Sequence, residues 1–326
     1  MTGNRHSEPS DIGSGDVAAV SRNEPPVLSL RGVRKSYRGR EALKGISLEL
    51  RAGELLGFFG PNGAGKTTMI RCITGLLKPD GGTITRAPRQ PSRSGEPARI
   101  GLVPQNLAVY PDLTVRQNLE VFGRLEGVKG TALTNRIGEV LEWAALADRS
   151  RSLAKTLSGG MQRRLNIACS VLHHPDILLL DEPTVGVDPQ SRERIYTMLG
   201  ELTDRGAAVL LTTHQLEEVE TRCDRIVVMD LGTIVADGTL RALVERTIGP
   251  PHRITLRFDR PFPDDLPDYR FEADRLAATR PIESMRDLPG MLAVLSELDP
   301  EPAQIDVRSF GLQDVFLELT GRSLRE

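Results

Sequence analysis

No run in this sequence approaches the ~18 consecutive apolar residues of a bilayer-crossing helix; the longest, around Leu178 and Val209, are strand-sized. A membrane span is therefore not expected. The N-terminal residues lack the apolar core of a secretory signal, so a cytoplasmic address is the expectation. Cysteine is scarce. Cys72, Cys169 and Cys223 are odd in number, far apart and set in helix-like sequence, which argues against a disulfide framework or zinc site and for small core residues or surface thiols. An excess of either charge is also missing: 42 Lys and Arg stand against 44 Asp and Glu, a net charge of -2. That balance gives no global pull toward nucleic acid or an acidic membrane. Between 86 and 99, Arg86, Arg89, Arg93 and Arg99 alternate with prolines, yet no aromatic residue interleaves for base stacking. A solvated loop is favoured there over a nucleic-acid surface. His173 and His174, just before Pro175, read as carbonyl-satisfying or solvated residues rather than metal ligands, and Trp143 reads as core.

What is present is concentrated in three short runs. The first is Gly60, Pro61, Asn62, Gly63, Ala64, Gly65, Lys66, Thr67 and, behind them, Thr68. Two glycines ahead of Lys and a hydroxyl residue let backbone amides curl around phosphates, and the helix opening at Lys66 adds its dipole. Lys66 suits the β and γ phosphates, and the Thr67 hydroxyl suits Mg²⁺; a glycine turn without a ligand is the bland alternative. The second run, Ile177 to Pro183, ends an apolar strand on two acids, Asp181 and Glu182. If the pleat continues, adjacent acids face opposite sides and can divide their work. The third run, Leu157 to Arg164, contains Ser158, Gly159 and Gly160 at a helix start, a second cluster of free amides suited to phosphate.

Along the chain the phosphate-binding run comes first, the Leu157 to Arg164 run second and the acids last; that order, with Gln105 between the first two and His214 after the acids, resembles the ATP-binding cassette (ABC) family of ATPases over roughly residues 27 to 246. The resemblance implies a P-loop NTPase α/β fold: a mainly parallel sheet core, an antiparallel β subdomain and a helical subdomain at about 106–175. It implies ATP and Mg²⁺ as ligands, with Asp181, Gln105 and Thr67 toward the metal, Glu182 as general base and His214 on the γ-phosphate. Tyr37 sits where the family places a ring against adenine, although packing on a strand edge would explain it equally locally. Asp188 matches the loop that crosses between subunits, and a helix N-cap is an equally good role. One chain does not need two phosphate sites for one triphosphate; the resemblance implies that Ser158, Gly159 and Gly160 face the ATP of a second cassette, in a homodimer. Met161 departs from the commonest family string and leaves the serine and glycines intact.

Residues 1–26, rich in Ser, Gly, Pro and mixed charge, are expected to be disordered. By the resemblance, residues 27–246 are expected to form the ATP-binding domain. Past Ile248 the composition turns to Pro, Asp and Arg, and Pro250-Pro251 marks a linker into a small C-terminal α+β accessory domain, 247–326. Strands and helices alternate before that point, as a helix-covered parallel sheet requires.

The resemblance implies the ATPase subunit of an exporter, peripheral on the inner face of the cell membrane through a separate integral-membrane permease. The stretch Gly311 to Gly321 resembles the end of daunorubicin-resistance-type subunits. An importer subunit is the nearer alternative, because the cassette does not encode direction. A non-transport ABC ATPase of DNA repair or translation fits less well, since Gln105 and Ser158 are only 53 positions apart and only one cassette is present. No nucleic-acid partner is expected.

Overall fold

The computed structural model describes residues 25–88 and 97–322. Most of the stretch 1–26 expected to be disordered, and Arg89 and Arg93 of the basic stretch, lie outside the described residues.

The chain starts with β1 (Leu28–Tyr37) and β2 (Arg40–Leu50), then β3 (Leu55–Phe59), α1 (Lys66–Ile73) and β4 (Gly81–Arg86). β5 (Ile100–Val103) leads through a loop to α2 (Val115–Leu125), α3 (Gly130–Trp143) and α4 (Gly159–Ser170). Alternation follows: β6 (Ile177–Asp181), α5 (Pro189–Asp204), β7 (Ala208–Thr213), α6 (Leu216–Arg222), β8 (Arg225–Asp230), β9 (Thr233–Gly238) and α7 (Leu240–Thr247). The chain ends in β10 (His252–Arg257), β11 (Arg270–Phe271), β12 (Ala277–Ile282), α8 (Leu288–Leu295), β13 (Gln304–Ser309) and α9 (Leu312–Thr320).

A six-stranded sheet of order β5-β6-β7-β3-β8-β9 is the centre of the molecule. Its first five strands are parallel, and only β9 runs antiparallel. Every residue of β3, β6 and β7 is buried, which is why they read as unbroken apolar runs rather than alternating ones. On one face, α1 and the antiparallel sheet β2-β1-β4 bury Leu28, Leu30, Phe58 and Met69. On the other, α2 to α5 bury Leu119, Ile137, Leu165 and Leu199.

Two local devices fix the loop between β5 and α2. Thr114 and Gln117 form a reciprocal cap, Thr114 N donating to Gln117 Oε1 at 2.9 Å and Gln117 N to Thr114 Oγ1 at 3.2 Å. Behind it, buried Asn118 accepts from Tyr110 N at 2.7 Å and donates to Tyr110 O at 3.0 Å. The helical segment is thereby tied to the strand that delivers Gln105.

The C-terminal strands form their own sheet, β11-β12-β10-β13, around Ile254, Leu256, Phe258 and Phe262. The last helix does not stay with it. Leu312, Val315 and Phe316 of α9 are buried with Phe59, Val219 and Val228 of the central sheet layer, and the rings of Phe59 and Phe316 meet edge-on at 6.1 Å. The composition change near residue 248 therefore does not mark where the chain stops contributing to the main core. The strands β4, β5 and β12 carry no strong sequence pattern, because they are short or half-exposed.

Candidate nucleotide site

The loop after β3 is shaped by glycines. Gly63 has φ +80° and Gly65 φ +113°, both left-handed; a Cβ on Gly65 would stand 2.6 Å from Ala42 O. Only glycine meets both demands. Gly65 is the residue before the first turn of α1, so the free amides of that helix face the loop.

A cavity of about 620 Å³ opens over this loop, lined by Asn62, Gly63, Gly65, Lys66, Thr67 and Thr68, by Tyr37, and by Gln105 and Glu182 from across the sheet. Arg40, Glu41 and Lys44 from β2, with Leu231 and Gly232 from the β8–β9 turn, also line it. Gly60 and Pro61 stand behind it and accept hydrogen bonds from Lys66 Nζ at 2.6 and 3.3 Å. Ala64 is buried; its carbonyl accepts from Gly232 N at 3.0 Å, tying the loop to the β8–β9 turn. Tyr37 is 43% exposed, leaving its ring free for a planar ligand.

Glu182 is the meeting point. Gln105 Nε2 donates to its Oε2 at 3.1 Å, while His214 Nδ1 and Lys66 Nζ lie 3.2 and 3.7 Å from Oε1. Lys66 is buried, and burial lowers its pKa below the ordinary lysine value, with Glu182 and then Asp181 opposing that fall. Asp181 ends β6 beside its register partner Thr212, whose hydroxyl donates to Asp181 Oδ1 at 2.7 Å. The two acids have different hydrogen-bond partners, and no continued pleat separates them. The strand stops at Asp181, and Glu182 takes φ +49°, a left-handed backbone uncommon for a residue with a side chain.

The remaining candidates lie elsewhere. Ser158 caps α4, accepting from Met161 N at 3.3 Å; Ser158 and Gly159 are exposed and neither lines the cavity. Gly160 is buried against the start of α5: a Cβ there would meet Ser191 Oγ at 2.0 Å and Asp188 Oδ2 at 3.1 Å. Asp188 caps α5, accepting from Ser191 N at 2.9 Å, and its hydrogen bonds to Ser191 hold its carboxyl below the usual range. His173 is buried and its Nε2 donates to Ile100 O at 3.2 Å, so it satisfies a carbonyl.

Sequence reasoning missed Arg163, Thr212, Lys44 and the β8–β9 turn. Arg163 lies in the run quoted for its serine and glycines, and it is 5% exposed. Thr212 reads as one more strand residue; nothing but the register sets it against Asp181. Among the described residues, no cluster of three or more His, Cys, Asp or Glu could hold a metal by itself.

A family profile described as ABC transporter matches residues 43–185. The Nod factor export ATP-binding protein I of Ralstonia nicotianae is 36% identical over 319 residues, covering 92% of this chain and 96% of that protein. This chain belongs to the ABC transporter ATP-binding family. This ABC ATPase is also 37% identical to a daunorubicin resistance ATP-binding protein of Streptomyces coeruleorubidus, over 91% of this chain and 97% of that one. It is 42% identical to a linearmycin resistance ATP-binding protein of Bacillus subtilis over 68% and 72% of the two chains. A solved ATP-binding subunit of an ABC transporter superposes with a TM-score of 0.60 at 27% identity, covering 68% of this chain and 92% of that one. A dimeric post-hydrolysis ABC cassette bound to ADP and Pi superposes with a TM-score of 0.56 at 27% identity, over 65% and 98%. The fold is thus the ABC cassette, and the chain is an ATP-binding, ATP-hydrolysing transporter subunit. No described helix is long and apolar enough to cross a membrane.

Proposed function

We propose that this ATPase powers an exporter, as a pair of identical copies that close on two ATP molecules beneath a separate integral-membrane permease, on its cytoplasmic face. The single observation that carries the hydrolytic part is the convergence of Lys66, Gln105 and His214 on the Glu182 carboxylate. The export direction rests on the similarity to proteins named for export or drug resistance.

Within that reading, the amides of Gly63, Gly65 and the first turn of α1 hold the β-phosphate, and the Lys66 ammonium moves its hydrogen bonds from loop carbonyls to the β and γ oxygens. Tyr37 stacks on adenine. Glu182 accepts the proton of the attacking water, Gln105 holds that water in line, and His214 steadies the γ-phosphate. Thr67, Gln105 and Asp181 offer hard oxygen donors, a set that fits Mg²⁺; bound, the ion would neutralise charge developing on the phosphates. Exposed Ser158 and Gly159, outside the chain's own cavity, meet the γ-phosphate held by the partner copy. Asp188, which lies against the neighbouring Gly160, belongs to that interface. The sheet β10–β13 is an accessory unit held to the cassette by α9.

Purification from solubilised membranes tests the assignment. A co-purifying protein with several long apolar segments, and ATP-dependent extrusion of a cargo from cells or vesicles carrying both chains, are expected. Uptake in place of extrusion would overturn the export direction, and absence of any membrane partner would overturn the transport role.

A further inference from the structure

The Arg163 guanidinium is buried in α4 and spends its protons on three main-chain carbonyls. It donates to Pro104 O at 2.9 Å, to Gln105 O at 2.8 Å and to Glu182 O at 3.2 Å. A planar fork with five N–H groups can serve acceptors from two separate loops at once, which an ammonium on a thinner stem does not reproduce. Burial lowers the pKa of this group and Asp181 opposes the fall, consistent with a cation kept in the protein for the bonds it makes.

One of those bonds falls on a residue with an uncommon backbone. Glu182 has φ +49°, and its N–H donates to Thr212 O at 3.0 Å. With Arg163 on its carbonyl, the peptide groups on both sides of the Glu182 Cα are held, so the direction in which its side chain leaves the backbone is set, and Gln105, His214 and Lys66 then hold the carboxylate. The same nitrogen holds the Gln105 carbonyl, and the Gln105 and Glu182 side chains meet at 3.1 Å.

We infer that Arg163 is a positioning residue for hydrolysis: it sets Glu182 and Gln105 relative to one another and makes their alignment depend on where α4 stands. Because α4 begins at Gly159, capped by Ser158, the helix that would meet the partner's ATP also carries the strut of its own chain's base. This rests on the assignment of Glu182 as general base and Gln105 as water-holding residue.

The test uses the full chain with Arg163→Lys and Arg163→Gln, the latter serving should a buried ammonium unfold the first. Turnover, affinity for ATPγS and melting temperature are measured, alone and in a Gln105→Ala background. Loss of hydrogen bonds from a buried charge should lower kcat by ~10- to 100-fold, while the Kd for ATPγS stays within about threefold. With Gln105 already Ala, the Arg163 change should cost far less, because the two act on one alignment. Wild-type turnover in the folded variants would overturn the proposal. So would affinity falling in step with kcat, or losses that simply multiply, either of which marks a general packing role. Undiminished hydrolysis by Glu182→Gln would instead refute the base assignment.

Discussion

Gln105 donates its side-chain amide to the Glu182 carboxylate at 3.1 Å, across 77 positions of sequence. One residue follows the edge strand β5 and the other follows β6, and these strands are neighbours in the sheet. With His214 and Lys66 on the other oxygen, three separate segments address one carboxylate. Movement of the β5–α2 loop must therefore register at the proposed base.

Glu182→Gln should keep ATP affinity and lose turnover by ~10²–10⁴-fold, the usual weight of a general base. The amide is nearly isosteric, so the cavity keeps its shape. Unable to hydrolyse, the variant should accumulate as an ATP-bound dimer. Light scattering with saturating ATP and Mg²⁺ reads the mass; a monomer under those conditions would count against the closed pair.

Lys66→Ala removes the buried ammonium that faces the loop carbonyls and Glu182. Phosphate release should fall by ~10³-fold, the scale for losing one preorganised charge at a phosphoryl-transfer site. Retained turnover in a clean preparation would refute the site assignment.

The two signature glycines should separate experimentally. A Cβ on Gly159 meets nothing within 4 Å, whereas one on Gly160 runs into Ser191 and Asp188. Gly160→Ala should cost ~1–3 kcal/mol of folding stability through overpacking. Gly159→Ala should leave the urea midpoint almost unchanged and impair ATP-driven pairing, read by light scattering. Equal stability losses would show that the surroundings of Gly160 yield.

Phe316→Ala should destabilise the cassette itself by ~3–5 kcal/mol, because Phe316 is 3% exposed and packs on Phe59 at the end of the strand feeding the phosphate loop. A chain ending at residue 310 should show a lower melting temperature for the whole cassette, not loss of an independent transition. Calorimetry distinguishes the two.

His173 adds an acid sensitivity. Burial lowers its pKa from 6.5, with Glu126 opposing and Arg99 and Arg136 reinforcing the fall. The unfolded chain therefore takes up this proton first, so stability falls as pH drops below 6.5 toward the lower folded value, and nothing is lost above 6.5. Melting temperature between about pH 7 and pH 5 should decline less steeply in His173→Gln. Equal slopes would remove His173 from the account.

The loop residues that line the cavity were legible because their backbone and charge requirements are local. Gly63 and Gly65 must be glycines for the turn, Lys66 and Thr67 follow at fixed steps along one helix, and β3, β6 and β7 announce their burial as continuous apolar runs. Cys72 and Cys169 read as small core residues and are buried in α1 and α4. The expected alternation of Asp181 and Glu182 does not apply: period two is a property of a continuing strand, and this strand ends at Asp181.

The sequence by itself determined the family, the phosphate loop and the order of the site residues, since each depends on neighbours a few positions away. Only the tertiary structure decided that Arg163 is a buried strut, that Thr212 holds Asp181, that Gly160 is an internal contact while Gly159 is open, and that α9 closes the main core. Those facts depend on which distant backbone groups come to lie beside a side chain, and a single chain's composition and spacing carry no record of that.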